Sequence, residues 1–277
     1  MPSNTKSDNQ YFGKYFERAI VEKINQTGII VDPTQYSDTN GYNFSDNEIK
    51  YLNEEAKQVG EYIGHTLHSI HTGNHTSIES GDIRLEDNTI IEVKRVSGGT
   101  GTYHNTSIYY FIAFGFDFRT YMEKFQLRET IQKFFPEVSV SYKNKNPVTQ
   151  AESSYIRHST KNGYDEIKVL DEKMRKQFVE DLVQFFRENP EKAKIFYTDM
   201  ALKKKIRQDT YSYSDRFIIF NYKKNTINEI DLNKIKSNPD ETIRANDLGF
   251  CIGDLRFQIG WQNGSGLNNP TIRVFIK

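Results

Sequence analysis

Cysteine is almost absent from this chain: Cys251 is the single one among 277 residues. One thiol closes no disulfide framework and builds no Cys-based zinc cluster. Net charge is absent too, because 37 Lys and Arg balance 37 Asp and Glu. Wholesale attraction to a polyanion is thereby excluded, while local basic patches are not. No apolar run reaches the roughly 18 residues of a membrane-spanning helix, so no membrane partner is expected. The stretch Met1 to Gln10 is polar and lacks the apolar region of a secretory signal. Internal repeats and long low-complexity tracts are missing as well. These absences point to a soluble, cytoplasmic protein.

Aromatic residues are plentiful, with 19 Phe and 17 Tyr, enough to exclude a disordered chain and to fill a sizeable core. Phe12, Phe16, Ala19, Ile20 and Ile24 recur at helical spacing. Ser45, with Glu48 three residues on, forms the signature of a capping box that opens a second helix running to about Leu67. Helical periodicity is also read over Ser107 to Phe135, Asp171 to Arg187, and Pro190 to about Arg207. Strand patterns occupy Arg216 to Tyr222, Thr226 to Leu232, Leu248 to Ile252, Leu255 to Trp261 and Thr271 to Ile276. The expected class is α/β or α+β, a mixed sheet flanked by helices. Residues 1–8 read as a frayed tail and 9–277 as one domain. Within it, 9–142 form a core, 143–164 an exposed connection, and 165–277 a β-rich part with its own helices.

The sharpest feature is Gly81-Asp82, nine residues, then Glu92-Val93-Lys94. Ile83, Leu85, Ile90, Ile91, Val93 and Val96 flank the turn-like Glu86-Asp87-Asn88, which reads as a β-hairpin. Side chains alternate along a strand, so Glu92 and Lys94 share a face. A three-residue connection sets Asp82 opposite Glu92, Ile83 opposite Ile91, and Leu85 opposite Thr89. A two-residue loop would turn Asp82 to the wrong face. Asn88 suits the left-handed position that such a connection requires. Two neighbouring carboxylates repel unless a cation lies between them. Hard oxygen donors suit Mg²⁺, and a lysine alongside can orient a water. The set is equipped for metal-assisted phosphodiester hydrolysis.

Asp82, Glu92 and Lys94 on a hairpin resemble the active-site motif of the PD-(D/E)xK nuclease superfamily, to which most type II restriction endonucleases belong. The resemblance spans residues 9–142. It departs from the usual pattern at Gly81, where the family commonly has proline. It implies a restriction-endonuclease-like core in which Asp82 and Glu92 ligate Mg²⁺, joined by the Val93 backbone carbonyl, and Lys94 positions the nucleophilic water. Glu17, on the preceding helix, matches the place of an extra acid that supports the metal site in many members. The implied activity is site-specific cleavage of double-stranded DNA in a prokaryotic restriction-modification system, leaving 5′-phosphate and 3′-hydroxyl ends. A homodimer would mirror a twofold-symmetric DNA site. Two other readings stand beside it: a structure-specific repair or junction nuclease on the same core, and a non-catalytic DNA-binding module.

Several segments are placed to meet DNA. Ser97, Gly98, Gly99 and Thr100 follow the catalytic strand, with Arg95 before them and Tyr103, His104 and Asn105 after. Such a loop either brings backbone N–H groups to phosphate or is a flexible turn. Lys203 and Lys204 open a basic run that either meets phosphate or complements a helix end. Arg256, Gln262 and Asn263 border a loop rich in glycine and amides, which either reads base edges or supplies turn geometry. His65, His68, His71 and His75 fall within eleven residues. No acid or cysteine joins them at ligand spacing, so capping or surface roles compete with zinc.

Overall fold

A computed structural model describes residues 8–27, 43–66, 68–71, 81–98, 101–136, 165–201, 204–207, 210–212, 214–237, 242–246, 248–261 and 270–276. The fold is mixed α+β. The chain divides into two compact units, Met1–Tyr103 with Ala201–Asn238, and His104–Met200 with Pro239–Lys277. The sheet of the first unit combines strands from within residues 9–142 with two strands from residues 216–231. The expected connection at 143–164 lies outside the described residues.

In the first unit, α1 (Asp8–Ile24) and α2 (Asp46–Ile63) pack together over one face of a five-stranded sheet. The strands are β1 (Ile70–His71), β2 (Ile83–Arg84), β3 (Ile90–Val96), β7 (Arg216–Asn221) and β8 (Thr226–Asp231), in the order β1-β2-β3-β7-β8. All neighbours are antiparallel except β3 and β7, which run parallel with Ile91 beside Arg216. The expected helical stripe of α1 is the buried one: Phe12, Phe16, Ala19, Ile20 and Ile24 meet Leu52, Ala56 and Val59 of α2. Beneath them lie Ile91, Val93, Ile218 and Phe220, the side chains that β3 and β7 present on this face. The helices approach closely at Gly60, where a Cβ would stand 2.7 Å from the Lys23 Cβ. The capping box of α2 forms as the sequence predicts: Ser45 Oγ accepts from the Glu48 N–H while Glu48 accepts from the Ser45 N–H. That helix ends at Ile63 rather than Leu67, because Gly64 turns the chain out of helical geometry at φ 97°.

The second unit is built on a five-stranded sheet in the order β4-β12-β11-β10-β9. These are β4 (Thr102–Ser107), β9 (Ile243–Asn246), β10 (Gly249–Ile252), β11 (Leu255–Trp261) and β12 (Pro270–Ile276). The region read as helical from Ser107 becomes a 3₁₀ helix (Ile108–Phe114) followed by α3 (Phe118–Lys124) and α4 (Leu127–Phe134). The long helix α5 (Asp165–Glu188) and α6 (Pro190–Ala201) supply Phe178, Phe186 and Phe196 to a phenylalanine core with Phe111, Phe250 and Phe257. Asp171 is buried there, accepting from Trp261 Nε1 at 2.8 Å and paired with Arg175.

Helix α6 stops at Ala201, short of the expected Arg207. Residues Lys204–Arg207 form β5, which pairs with β6 (Thr210–Ser212). The short helix α7 (Leu232–Ser237) closes the first unit after β8. Among the described residues, no helix is long and apolar enough to cross a membrane.

Candidate active site

The hairpin of β2 and β3 has the register that the three-residue connection predicts. Ile83 pairs with Ile91. The Asp82 N–H donates to the Ile91 carbonyl at 2.9 Å, and the Leu85 N–H to the Thr89 carbonyl at 3.0 Å. Asn88 takes the left-handed conformation with φ 66°. Asp82 thus lies opposite Glu92, on the face that Glu92 shares with Lys94.

Those three side chains converge. Lys94 Nζ lies 2.6 Å from Glu92 Oε1 and 3.3 Å from Asp82 Oδ2. Glu92 is fully buried, Asp82 is 17% exposed and Lys94 31%. Burial works to lower the Lys94 pKa, but the carboxylates of Asp82, Glu92 and Glu17 outweigh it and hold the ammonium well above the usual lysine range. Lys94 is therefore charged at neutral pH, and its positive charge lies between two negative ones.

Backbone geometry brings a further oxygen to the same place. Ile90 and Val96 accept from Asp215 and Tyr222 on the β7 side, while Ile91 accepts from Asp82 on the β2 side. Alternation then directs both polar groups of Val93 to the β2 edge. Its N–H donates to Asp82 Oδ2 at 2.8 Å, in the place where β2 would have continued the ladder. The Val93 carbonyl points to that edge as well. Gly81 sets the entry to this turn. Its φ is +65°, and a Cβ would lie 2.4 Å from Ile90 Cγ2. Neither proline nor any side chain fits there, which accounts for the glycine in this sequence.

Glu17, on α1, accepts from His71 Nε2 at 3.2 Å, and both are mostly buried. It is near enough to bias Lys94 electrostatically. The His71 contact was not foreseen, since the two residues are 54 positions apart and no local pattern links them. The histidines do not form one ligand set. Helix α2 ends before them, His65 Nδ1 caps the Ile24 carbonyl at 2.8 Å, and His68 stands at φ 61°. His75 lies outside the described residues.

For a divalent cation, the donor set suits a hard ion: two carboxylates and a carbonyl-bearing edge surround the position that the Lys94 ammonium neutralises. Among the described residues, no group of three or more His, Cys, Asp and Glu is arranged to hold a metal ion. The acids that gather on the hairpin are two.

The expected DNA contacts divide. Arg95 is not available: it is bonded to Glu55 through Nε and Nη2 at 2.6 and 3.1 Å, with its guanidinium 3.9 Å over the Tyr222 ring. Alternation carries it to the helix-covered face, away from Lys94. Tyr103 is also buried, edge-on to Phe217, and burial next to Glu92 raises its phenol above the usual tyrosine range. Ser97, Gly98 and Asn105 are exposed, His104 lies on β4, and Lys204 lies on strand β5 rather than at a helix end. Gly101 closes the loop against Lys94, where a Cβ would stand 3.2 Å from the lysine's own. Arg256 is on β11 with its guanidinium 4.4 Å over the Phe275 ring. Gly99, Thr100, Lys203, Gln262 and Asn263 lie outside the described residues. Comparison with protein-family models and with curated proteins finds no match to this chain.

Proposed function

We propose that the chain is a Mg²⁺-dependent endodeoxyribonuclease of the type II restriction kind, with a restriction-endonuclease-like core in its first unit. The observation that carries the reading is the convergence of Asp82, Glu92 and Lys94 on one hairpin face, at distances of 2.6 and 3.3 Å. A carboxylate buried as deeply as Glu92 costs several kcal/mol unless it is compensated. A surface hairpin with ordinary charges would have no reason to bear that cost.

In this reading Asp82, Glu92 and the Val93 carbonyl hold Mg²⁺, with Glu17 supporting the site from α1. An ion held there would supply charge neutralisation to the phosphoryl group. Lys94, already charged, hydrogen-bonds and orients the attacking water rather than taking its proton. The water oxygen bonds to phosphorus while the bond from phosphorus to the 3′ oxygen breaks. The proton that the water sheds passes to solvent, and the 3′ oxygen takes a proton from solvent, leaving a 3′-hydroxyl and a 5′-phosphate. Cleavage of both strands of a palindrome calls for two copies of the chain.

The test is incubation of a long duplex DNA with the protein and Mg²⁺. Discrete bands with 5′-phosphate ends support the proposal, and Asp82→Ala or Glu92→Ala should abolish them. A smear indicates a nuclease without a recognition site. Intact DNA, or full-rate cleavage in excess EDTA, rejects the assignment.

A further inference from the structure

The second unit carries a charge pattern that the catalytic hairpin does not explain. Asp and Glu make up 37 of the 277 residues, yet none falls in β4, β9, β10, β11 or β12. The three charged residues in these strands are all arginine: Arg244, Arg256 and Arg273. Asp254, the described acid nearest in sequence, belongs to the turn between β10 and β11.

Strand register shows where the arginines point. Residues directly opposed across antiparallel strands share a face. Arg244 opposes Cys251, Cys251 opposes Arg256, and Arg256 opposes Phe275, which makes one row. The adjacent row on the same face runs Asn246, Gly249, Gln258, Arg273. The opposite face carries Phe250, Phe257 and Ile259 into the phenylalanine core. All three guanidinium groups thus stand on the outer face, with Asn246 and Gln258 exposed beside them.

Local packing supports two of the arginines, Arg256 and Arg273, both of them partly exposed. The Phe275 ring supports the Arg256 guanidinium at 4.4 Å, so its N–H edge is held without a carboxylate. At Gly260 a Cβ would lie 3.7 Å from Arg273 Cζ, so that guanidinium crosses a place where the sheet has no side chain. Among the described residues, none of the three has a carboxylate partner.

We propose that this face binds the phosphate backbone of double-stranded DNA. Arginine forks match phosphate oxygens, and a face free of acids in a neutral protein concentrates positive potential where the net charge gives none. Phe275 is covered by Arg256 and offers no bare ring for an unpaired base to stack on, which favours a duplex over a single strand. The inference rests on the nuclease reading only in that DNA is the substrate there.

The test is fluorescence anisotropy with a labelled 30-base-pair duplex and the matching single strand, using the full chain in EDTA so that nothing is cut. Changing Arg244, Arg256 and Arg273 together to Gln should weaken duplex binding about 10- to 1000-fold, and the slope of log affinity against log salt should fall by roughly two to three. The triple Arg→Lys variant should keep most of the slope. If the triple Gln variant does not fold, Arg244→Glu, at an exposed edge position, should still weaken binding several-fold. Unchanged affinity in the folded glutamine or Glu variant overturns the proposal, and so does tighter binding of the single strand. A separate Mg²⁺ cleavage assay separates the two ideas. A wild-type chain that binds through this face but never cuts leaves the face standing and removes the nuclease. One that cuts while the glutamine variant binds equally well does the reverse.

Discussion

Lys94 does at the residue scale what a metal ion would do at the same place: it puts positive charge between Asp82 and Glu92. Removing it leaves two acids facing each other, one of them fully buried. Lys94→Ala is therefore expected to lower stability in EDTA by about 2–4 kcal/mol, at or below the range for breaking a fully buried pair, since Lys94 keeps some contact with water. Saturating Mg²⁺ should restore part of the loss, because a ligand that binds only the folded state stabilises it. Urea unfolding with and without Mg²⁺ reads both effects. Equal stability of variant and parent in EDTA would mean that the ammonium neutralises nothing. On the proposed nuclease reading, DNA cleavage should vanish in the same variant while DNA binding persists; a non-catalytic binding module would have no cleavage to lose.

The hairpin is the element on which the site depends, and its entry is conformationally fixed. Gly81→Ala places a Cβ at positive φ and against Ile90, so a stability loss of about 1–3 kcal/mol is expected. Cleavage should fall at least about tenfold, because Asp82 is the next residue and a small misplacement of a positioned group is costly. Asn88→Gly, at φ 66°, should preserve both. Thermal unfolding alongside cleavage rates tests the contrast, and an unaffected G81A would show that the turn tolerates a side chain.

On the neighbouring strands, Arg216 Nε and Nη2 bind Glu229 at 2.7 and 2.9 Å. This hydrogen-bonded guanidinium, ahead of opposing desolvation, holds the Glu229 carboxyl below the usual glutamate value. A depressed folded pKa gives stability that is present above the unfolded value and lost as pH falls through the folded one. Wild type should exceed Glu229→Gln by about 0.5–1 kcal/mol near neutrality, with the gap closing in the acid range below the usual glutamate pKa. A gap that persists undiminished at low pH would assign the difference to packing instead.

At the scale of the whole molecule, the sheet that holds the site is assembled from distant parts of the chain. Ile91 pairs with Arg216, and Phe217, Ile218 and Phe220 complete the packing on both faces of β3. A fragment of residues 9–142, the expected core, lacks β7 and β8. It is expected to show no cooperative thermal transition by circular dichroism, since β3 would lose its parallel partner and the apolar surface of α1 part of its cover. A fragment that melts sharply would show that β7 and β8 are dispensable for its folding.

Sequence alone determined what depends on neighbours in the chain. The apolar stripe of α1 and the Ser45–Glu48 capping box follow from local spacing, and local spacing narrows the hairpin to two registers, one of which sets Asp82 opposite Glu92, because helical period, caps and short turns are decided within a few residues. Only the tertiary structure decided which strand lies beside β3, why Arg95 is locked to Glu55 and Tyr103 enclosed, that Glu17 meets His71, and that three arginines from three strands share one sheet face. The contacts of β3, Arg95, Tyr103 and Glu17 depend on pairings between residues tens to more than a hundred positions apart, and the arginine face on the register of three successive antiparallel pairings; no local period encodes them. The physical reason is that side-chain alternation assigns faces within a strand, while which face is covered is settled only when distant segments pack.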